Sequence, residues 1–344
     1  MIDENGSFRD PAGKIYYEDN RVFRKLTALG TERFLELQNI NIISKSIEKG
    51  FLIETKVIKN QKKIDENKNE LILEHKKIPY ISYPYEWSFS QLKDAAIFHL
   101  DFHLFLLKNN ATLIDASAYN IQFIGSKLKF IDVLSVQKYN EGEFWVGHKQ
   151  FCENFLNPLI LKSKKGIKFN NWFKGNLEGI ETRELNNLLG VFDKFSYNIF
   201  VHIYLLNKFD EKYKSKKSLK PISQTKKQFS KKSFVALLSQ LRKFILKLKD
   251  YKNVTTWDDY STNNSYSIED KNKKIDCVIQ FCKKNNFELI ADLGCNDGEY
   301  STLSLKNGCK KVIGFDFDIN AINKAYKNSS DENFDFLPLH FDSA

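Results

Sequence analysis

Residues 288–318 read ELIADLGCNDGEYSTLSLKNGCKKVIGFDFD, and this order of residue types predicts two buried strands joined by a helix. Leu289-Ile290-Ala291 is a short apolar run that stops at Asp292. Gly294 and Gly298 flank Cys295-Asn296-Asp297, and a helical stretch follows from about Glu299 to Asn307. Lys311-Val312-Ile313-Gly314-Phe315 forms the second strand, ending at Asp316. In an open α/β sheet, ligands bind outside the carboxyl ends of the strands, at the turn into the first helix. Glycine lets the backbone approach a ligand at positive φ, and the start of a helix presents free N–H groups. An acid closing the second strand can accept both hydroxyls of a ribose.

Two ligands share this logic, a dinucleotide and S-adenosylmethionine. A dinucleotide fingerprint needs G-x-G-x-x-G, whereas here Asn296 stands between Gly294 and Gly298. The stretch resembles motif I of class I S-adenosylmethionine-dependent methyltransferases, of the D-x-G-x-x-x-G type, with Asn296 in place of the middle glycine. That resemblance implies a cofactor-binding loop made of Asp292, Gly294, Cys295, Asn296 and Gly298, with Asp316 as the ribose-binding acid. It also implies that Asp342, after the apolar run Phe336-Leu337-Pro338-Leu339, lies beside the adenine amino group. The plain alternative is an ordinary βαβ unit with a glycine turn.

The 344 residues leave room for about two domains. A hydrophobic share of 42% and an aromatic share of 14% are ample for packed cores and exclude a disordered chain. The net charge of +10 admits an anionic partner such as nucleic acid or a membrane surface; because the charge is spread out, solubility explains it better. The five cysteines, Cys152, Cys277, Cys282, Cys295 and Cys309, show no C-x-x-C pair, so their spacing indicates neither a zinc site nor a disulfide framework. The polar start MIDENGSFRDPAGK is unlike a signal peptide, and no apolar run nears the ~18 residues that span a bilayer. A reducing cytoplasm is the expectation.

KIYYEDNRVFRKL (14–26) is a hairpin pattern around Asp19-Asn20. Residues 31–49 carry apolar positions near helical spacing, Gly50 ends that helix, and FLIETKVI (51–58) follows as a strand. The polar run 59–70 reads as a loop. IPYISYPYEW (78–87) is extended, and Ser88 or Ser90 caps a helix that runs to about Lys108 and is apolar around its circumference, hence buried. Its pair His99 and His103 lacks an accompanying H-E-x-x-H glutamate and reads as structural.

LIDASAYNIQFIGSKLKFIDVLS (113–135) places Asp115 and Asn120 five positions apart in a loop, then a hairpin turning at Gly125-Ser126, then Asp132. This resembles the catalytic core of protein-kinase-like folds. The resemblance implies Asp115 as the base, Asn120 and Asp132 as Mg²⁺ ligands, and ATP as the phosphoryl donor. Asp115 follows Leu113-Ile114, Asp132 precedes Val133-Leu134, no glycine-rich phosphate loop occurs in 10–30, and Lys25 is the candidate phosphate lysine. The plain alternative is an Asx-type loop followed by a hairpin.

EKYKSKKSLKPISQTKKQFSKK (211–232) is a lysine- and serine-rich linker. A basic amphipathic helix follows, with Phe234, Leu237, Leu238, Leu241, Phe244, Ile245 and Leu248 on one face. The 211–249 segment is the candidate contact for an anionic partner, although such a stripe more often packs on its own domain. Trp257, Tyr260 and Tyr266 are placed to cover a cofactor. The expected organisation is an α+β N-terminal domain (1–208), resembling a kinase-like fold, the linker and basic helix (209–254), and a partial α/β, Rossmann-like methyltransferase domain (255–344).

Taken together, SFRDPAGKIYY, ISYPYEWSFSQLKDAA, LIDASAYNIQF, FIDVLS, QFCENFLNPL and DLGCNDGEYS resemble a bacterial family of class I methyltransferases, some of them nodulation-protein-like, across nearly the whole chain. The resemblance implies methyl transfer from S-adenosylmethionine to an acceptor it does not identify. A full methyltransferase sheet has further strands beside the first, so the expectation is a truncated domain whose first strand is left as an open edge.

Overall fold

The computed structural model describes residues 2–4, 10–58, 71–205, 230–251 and 267–341. Asp19 and Asn20 both adopt positive φ, 48° and 62°, the geometry of a two-residue hairpin turn that matches strand twist. They join β2 (Gly13–Glu18) to β3 (Arg21–Leu26). With β1 (Ile2–Asp3), β4 (Thr55–Val57) and β5 (Ile72–His75), these form a five-stranded antiparallel sheet in the order β1-β2-β3-β5-β4.

The stretch 31–49 departs from the single helix its periodicity predicts. The chain forms α1 (Ala28–Asn39) and α2 (Ile42–Glu48), broken where Asn41 takes φ 52°. Asparagine tolerates the left-handed region better than most side chains, and the break lets Ile42 and Ile43 bury. Thr27 caps α1, and Gly30 is required in its first turn because a Cβ there would lie 2.0 Å from the Ala12 carbonyl oxygen. The predicted strand 51–58 also divides. Thr55–Val57 joins the sheet, while residues 51–53 pair with Phe130 through Phe130 N–H to Phe51 O (2.8 Å) and Ile53 N–H to Phe130 O (2.9 Å).

Ser88 caps α3 (Phe89–Lys108) in a capping box with Gln91. This helix is the axis of the molecule: Leu92, Ala95, Ala96, His99, Leu100, Phe102, His103 and Leu106 are all fully buried. His103 Nε2 bonds Thr112 Oγ1 at 2.8 Å, and His99 sits among Phe130, Trp145, Phe151 and Phe155. Beyond α3, β6 (Ala111–Leu113) pairs antiparallel with β9 (Val136–Lys138), and the hairpin β7 (Ile121–Ile124) and β8 (Lys127–Phe130) projects between them. A continuous helical stretch then runs His148–Phe151, a π-helical turn Cys152–Leu156, and α4 (Asn157–Lys165). A second π-helical turn covers Phe200–Leu205.

The basic helix α5 (Lys231–Lys247) buries Phe234, Leu238, Leu241 and Ile245. Arg242 of α5 pairs with Asp101 of α3, and Lys93 of α3 donates to the Leu246 and Leu248 carbonyls. The apolar stripe is therefore occupied by the protein's own core. Most of the lysine-rich linker lies outside the described residues.

The last unit begins with α6 (Ile268–Asn285). β10 (Ile290–Leu293), α7 (Glu299–Lys306), β11 (Val312–Asp316), α8 (Ile319–Glu332) and β12 (Phe336–His340) then alternate to give a three-stranded parallel sheet in the order β10-β11-β12. β10 is an edge strand, with Leu293 79% exposed. This unit is joined to α3 by side chains: Gln91 donates to Pro338 O (2.9 Å), Ser90 N–H to Asn323 Oδ1 (2.9 Å) and Tyr326 to Asp94 Oδ2 (2.9 Å). Ile313, Tyr326, Leu337 and Leu339 belong to the same apolar core as α3. Burial pushes the Asp94 carboxyl up even with Tyr326 donating to it. Tyr326→Phe removes that donor from a mostly buried carboxyl and is expected to destabilise the chain by about 1–3 kcal/mol, read as a lower urea midpoint with unchanged far-ultraviolet circular dichroism.

Candidate functional site

A cavity of about 760 Å³ opens between the antiparallel sheet and the loops around the β7–β8 hairpin. Its lining includes Asp10, Arg24, His75, Tyr80, Asp115, Asn120 and Asp132. Backbone pairing explains why three positions distant in sequence meet. Ile114 N–H bonds Ser135 O (2.9 Å) beside the β6–β9 pair, and Ile131 N–H bonds Asn120 O (2.8 Å) where the hairpin closes. Asp115 leaves β6 and Asp132 returns toward β9, with Asn120 at the base of the hairpin between them.

The loop carrying Asp115 is held from outside by the 148–165 stretch. Gln150 Oε1 accepts the Ala116 N–H (2.8 Å), Asn154 Oδ1 accepts the Ala118 N–H (3.0 Å), and Asp115 Oδ1 accepts the Ser117 N–H (2.8 Å). Gln150 and Asn154 are four apart and so share one helical face. Sequence reading missed both, and their spacing is the signal that could have found them.

Asp132 does more than line the cavity. It caps the turn Val133–Ser135, accepting from the Leu134 N–H and the Ser135 hydroxyl, and it pairs with Arg24, which also pairs with Asp10. Burial alone would raise the Asp132 carboxyl; the Arg24 charge, with the Arg24, Ser135 and Leu134 hydrogen bonds, holds it below the ordinary value. Of the two adjacent cations on β3, Arg24, 5% exposed, lines the cavity together with Lys76 and Lys77, while Lys25 is exposed on the opposite face of the strand. Strand alternation decides between the two. The D-P-A-G run contributes Asp10, which also accepts the Ala12 N–H (2.9 Å).

At the other candidate site, the β10–α7 loop has three left-handed residues in five: Gly294 (φ 77°), Asn296 (φ 49°) and Gly298 (φ 86°). The two glycines serve different ends. A Cβ at Gly298 would lie 2.5 Å from Phe336 Cε1, so that glycine is needed for packing; nothing lies within 4 Å of a Cβ at Gly294, which faces open space. Asp316, closing β11, accepts the Asn296 N–H (2.9 Å) and the Asp318 N–H (2.8 Å), and Asp292 accepts the Ser301 hydroxyl (2.6 Å). Cys295 turns its thiol inward under Gly314, where a Cβ would meet Cys295 Sγ at 2.7 Å, and leaves its backbone at the loop. Burial first, then Asp292 and Asp316, push that thiol up. Asp342, Trp257, Tyr260 and Tyr266 lie outside the described residues.

The two sites have one residue in common surroundings. Tyr80 lines the cavity and packs edge-on against Phe315, one residue before Asp316, with ring centroids 5.8 Å apart. Burial, with Glu86 nearby, pushes the Tyr80 hydroxyl up to about 12.

The architecture defines a mixed α/β protein with small sheets, and no helix among the described residues is long and apolar enough to cross a membrane. No family model matches the chain. It is 36% identical over 340 residues to "Nodulation protein NoeA" of Rhizobium meliloti (strain 1021), a match covering 98% of this chain and 71% of that protein. The chain belongs to the NoeA family. Among solved structures, "Structure of vaccinia related kinase 3" matches at 14% identity and a TM-score of 0.33, covering 74% of this chain and 81% of that one; a score this low does not establish a shared fold.

Two expectations follow from the cavity. Arg24→Met leaves Asp132 and Asp10 without their cation and should destabilise by about 3 kcal/mol, the low end for breaking a buried pair because both carboxylates keep some access to water; chemical denaturation checks it. Burial, then the Arg24 charge, lowers His75 from 6.5 to about 4. Between those values the unfolded chain binds more protons than the folded one. The His75 contribution is therefore complete above pH 6.5 and lost as pH falls through about 4. Denaturation midpoints should fall in that window, and midpoints flat from pH 7 to 4 would contradict the assignment.

Proposed function

We propose that this NoeA-family protein takes part in methyl transfer from S-adenosylmethionine. The observation that carries the reading is the β10–α7 loop, left-handed at three positions and open at Gly294, with a carboxylate closing the adjacent strand. Backbone N–H groups at the start of α7 and the side of Gly294 free of protein atoms suit the methionine end, with Asp292 and Gly298 shaping the loop. Asp316 would hold the ribose: its two oxygens accept loop N–H groups and retain lone pairs for hydroxyl donors. Asp342 is assigned to the adenine.

Bound S-adenosylmethionine supplies a methyl on a sulfonium, which an acceptor atom displaces while the C–S electron pair returns to sulfur. The protein's share of such a reaction is alignment of acceptor and methyl, which can contribute several kcal/mol. The name of the NoeA relative connects that protein to nodulation.

A second reading is carried by the convergence of Asp115, Asn120 and Asp132 on one cavity with Arg24. It assigns that cavity to ATP with Mg²⁺, Asp115 acting on an acceptor hydroxyl and Asn120 and Asp132 on the metal. The Arg24 pair with Asp132 must loosen for that role, so ion binding and the ion pair compete.

Isothermal titration separates the readings. Saturable S-adenosylmethionine binding, weakened at least roughly tenfold in Asp316→Ala and unchanged in Asp132→Asn, supports the first; this change corresponds to about 1.4 kcal/mol. Mg²⁺-dependent ATP binding that is lost in Asp132→Asn and kept in Asp316→Ala supports the second. Failure of folded wild-type chain to bind S-adenosylmethionine overturns the methyltransferase reading.

A further inference from the structure

Away from both sites, three metal-ligating side chains meet in the interior. His148 Nε2 lies 2.9 Å from His202 Nδ1 and 3.7 Å from Cys152 Sγ, and the three ligand atoms are all within 4.8 Å of one another. Cys152 is fully buried, His202 is 1% exposed, and His148 is partly exposed. Among the described residues this is the one group of three or more His, Cys, Asp or Glu side chains close enough to share an ion.

From this geometry we propose that His148, Cys152 and His202 form a site for a late first-row divalent cation, Zn²⁺ foremost. Zinc bonds imidazole nitrogen at about 2.0–2.1 Å and thiolate at about 2.3 Å, so tetrahedral ligands sit about 3.3 Å (N to N) and about 3.6 Å (N to S) apart. The 3.7 Å separation already matches, the two imidazoles need to part by about 0.4 Å, and the Cys152 and His202 ligand atoms, within 4.8 Å of each other, need to settle at about 3.6 Å. Two imidazoles and one thiolate suit zinc and its neighbours over Mg²⁺ or Ca²⁺, which prefer oxygen.

The backbone supplies an independent observation. Cys152 opens one π-helical turn and His202 lies within the other. Such turns are rare, and many occur at functional sites. An unbroken helix entering residue 152 sets His148 and Cys152 four apart on one face, and the second π turn carries His202 against them. Sequence spacing hides the set, since His202 is 54 positions from His148.

Binding balances simply. The Cys152 S–H bond breaks, the sulfur pair goes to the metal and one proton is released. The imidazoles stay neutral: each keeps its N–H on the nitrogen remote from the ion, which requires one ring to switch tautomer with no change in proton count. Three protein ligands leave a fourth position for water on the partly exposed His148 side. The ion would clamp the 200–205 segment to the helical stretch whose Gln150 and Asn154 hold the Asp115 loop, a structural and regulatory role toward the cavity.

The test uses the full chain freed of metal with a chelator and titrated with Co²⁺ and Zn²⁺. One ion should bind per chain, with a thiolate-to-cobalt charge-transfer band in the near ultraviolet and one proton released. Cys152→Ser should abolish the band, and His202→Gln should weaken binding by roughly tenfold or more, because even outer-shell changes cost metal sites that much. Cys277→Ser, at an exposed thiol, should change neither. No band in wild type, or a band lost in Cys277→Ser and kept in Cys152→Ser, overturns the proposal.

Discussion

Burial of most of α3 is the constraint from which the rest of the molecule follows. A helix surrounded by core cannot leave a polar side chain without a partner at low cost. Gln91, fully buried, accepts the Ser88 N–H and donates to the Pro338 carbonyl. Asp94 takes the Tyr326 hydroxyl, Lys93 the end of α5, and Asp101 the Arg242 guanidinium. Apart from the local Ser88–Gln91 bond, these bonds reach three later segments, β12, α8 and α5. The parallel sheet and the basic helix are consequently bound to the first half through the same helix, and the apolar core passes between them without a break.

The cavity rests on charge compensation of a similar kind. Arg24 is a buried cation between Asp10 and Asp132, and burial of any one of the three would be unfavourable alone. Because Asp10 belongs to the D-P-A-G run, Arg24 to β3 and Asp132 to the end of the hairpin, the triad fastens the sheet to the loops below it. An anion reaching Arg24 meets a guanidinium already neutralised, and a cation reaching Asp132 meets a carboxylate already paired. A ligand there must compete with an ion pair or bind around it, which favours one offering several contacts over a bare ion.

Much of this was legible where local chemistry decides the outcome. Asp19-Asn20 and Gly125-Ser126 marked hairpin turns, Ser88 marked a helix start, and the apolar runs around Gly294 and Gly314 marked parallel strands, because turn type, capping and alternation act over a few residues. What was hidden depends on partners far along the chain. Periodicity over 31–49 contains no sign that Asn41 breaks the helix. Lys25 reads as the cavity cation until the sheet fixes which face of β3 looks inward, and that face carries Arg24. The division of 51–58 requires knowing that Phe130 competes with β5 for its backbone. Gly30 looked unremarkable until Ala12 packed on it.

The contact between Tyr80 and Phe315 links the two halves in a way neither candidate site explains by itself. Tyr80 lies in the extended segment leaving β5, and its ring forms part of the cavity wall; Phe315 precedes the carboxylate that closes β11. Phe315 also meets Phe341, at the exit of β12. The carboxyl end of β11 is therefore packed between a ring of the cavity wall and the ring at the exit of β12. Phe315 is one peptide unit from Asp316, whose two oxygens accept the Asn296 and Asp318 N–H groups. The Phe315 carbonyl itself accepts the Gly294 and Cys295 N–H groups at 2.8 and 3.1 Å, so the loop is anchored on the residue that packs against Tyr80. The packing of the first half against the parallel sheet thus reaches the strand end that holds the β10–α7 loop.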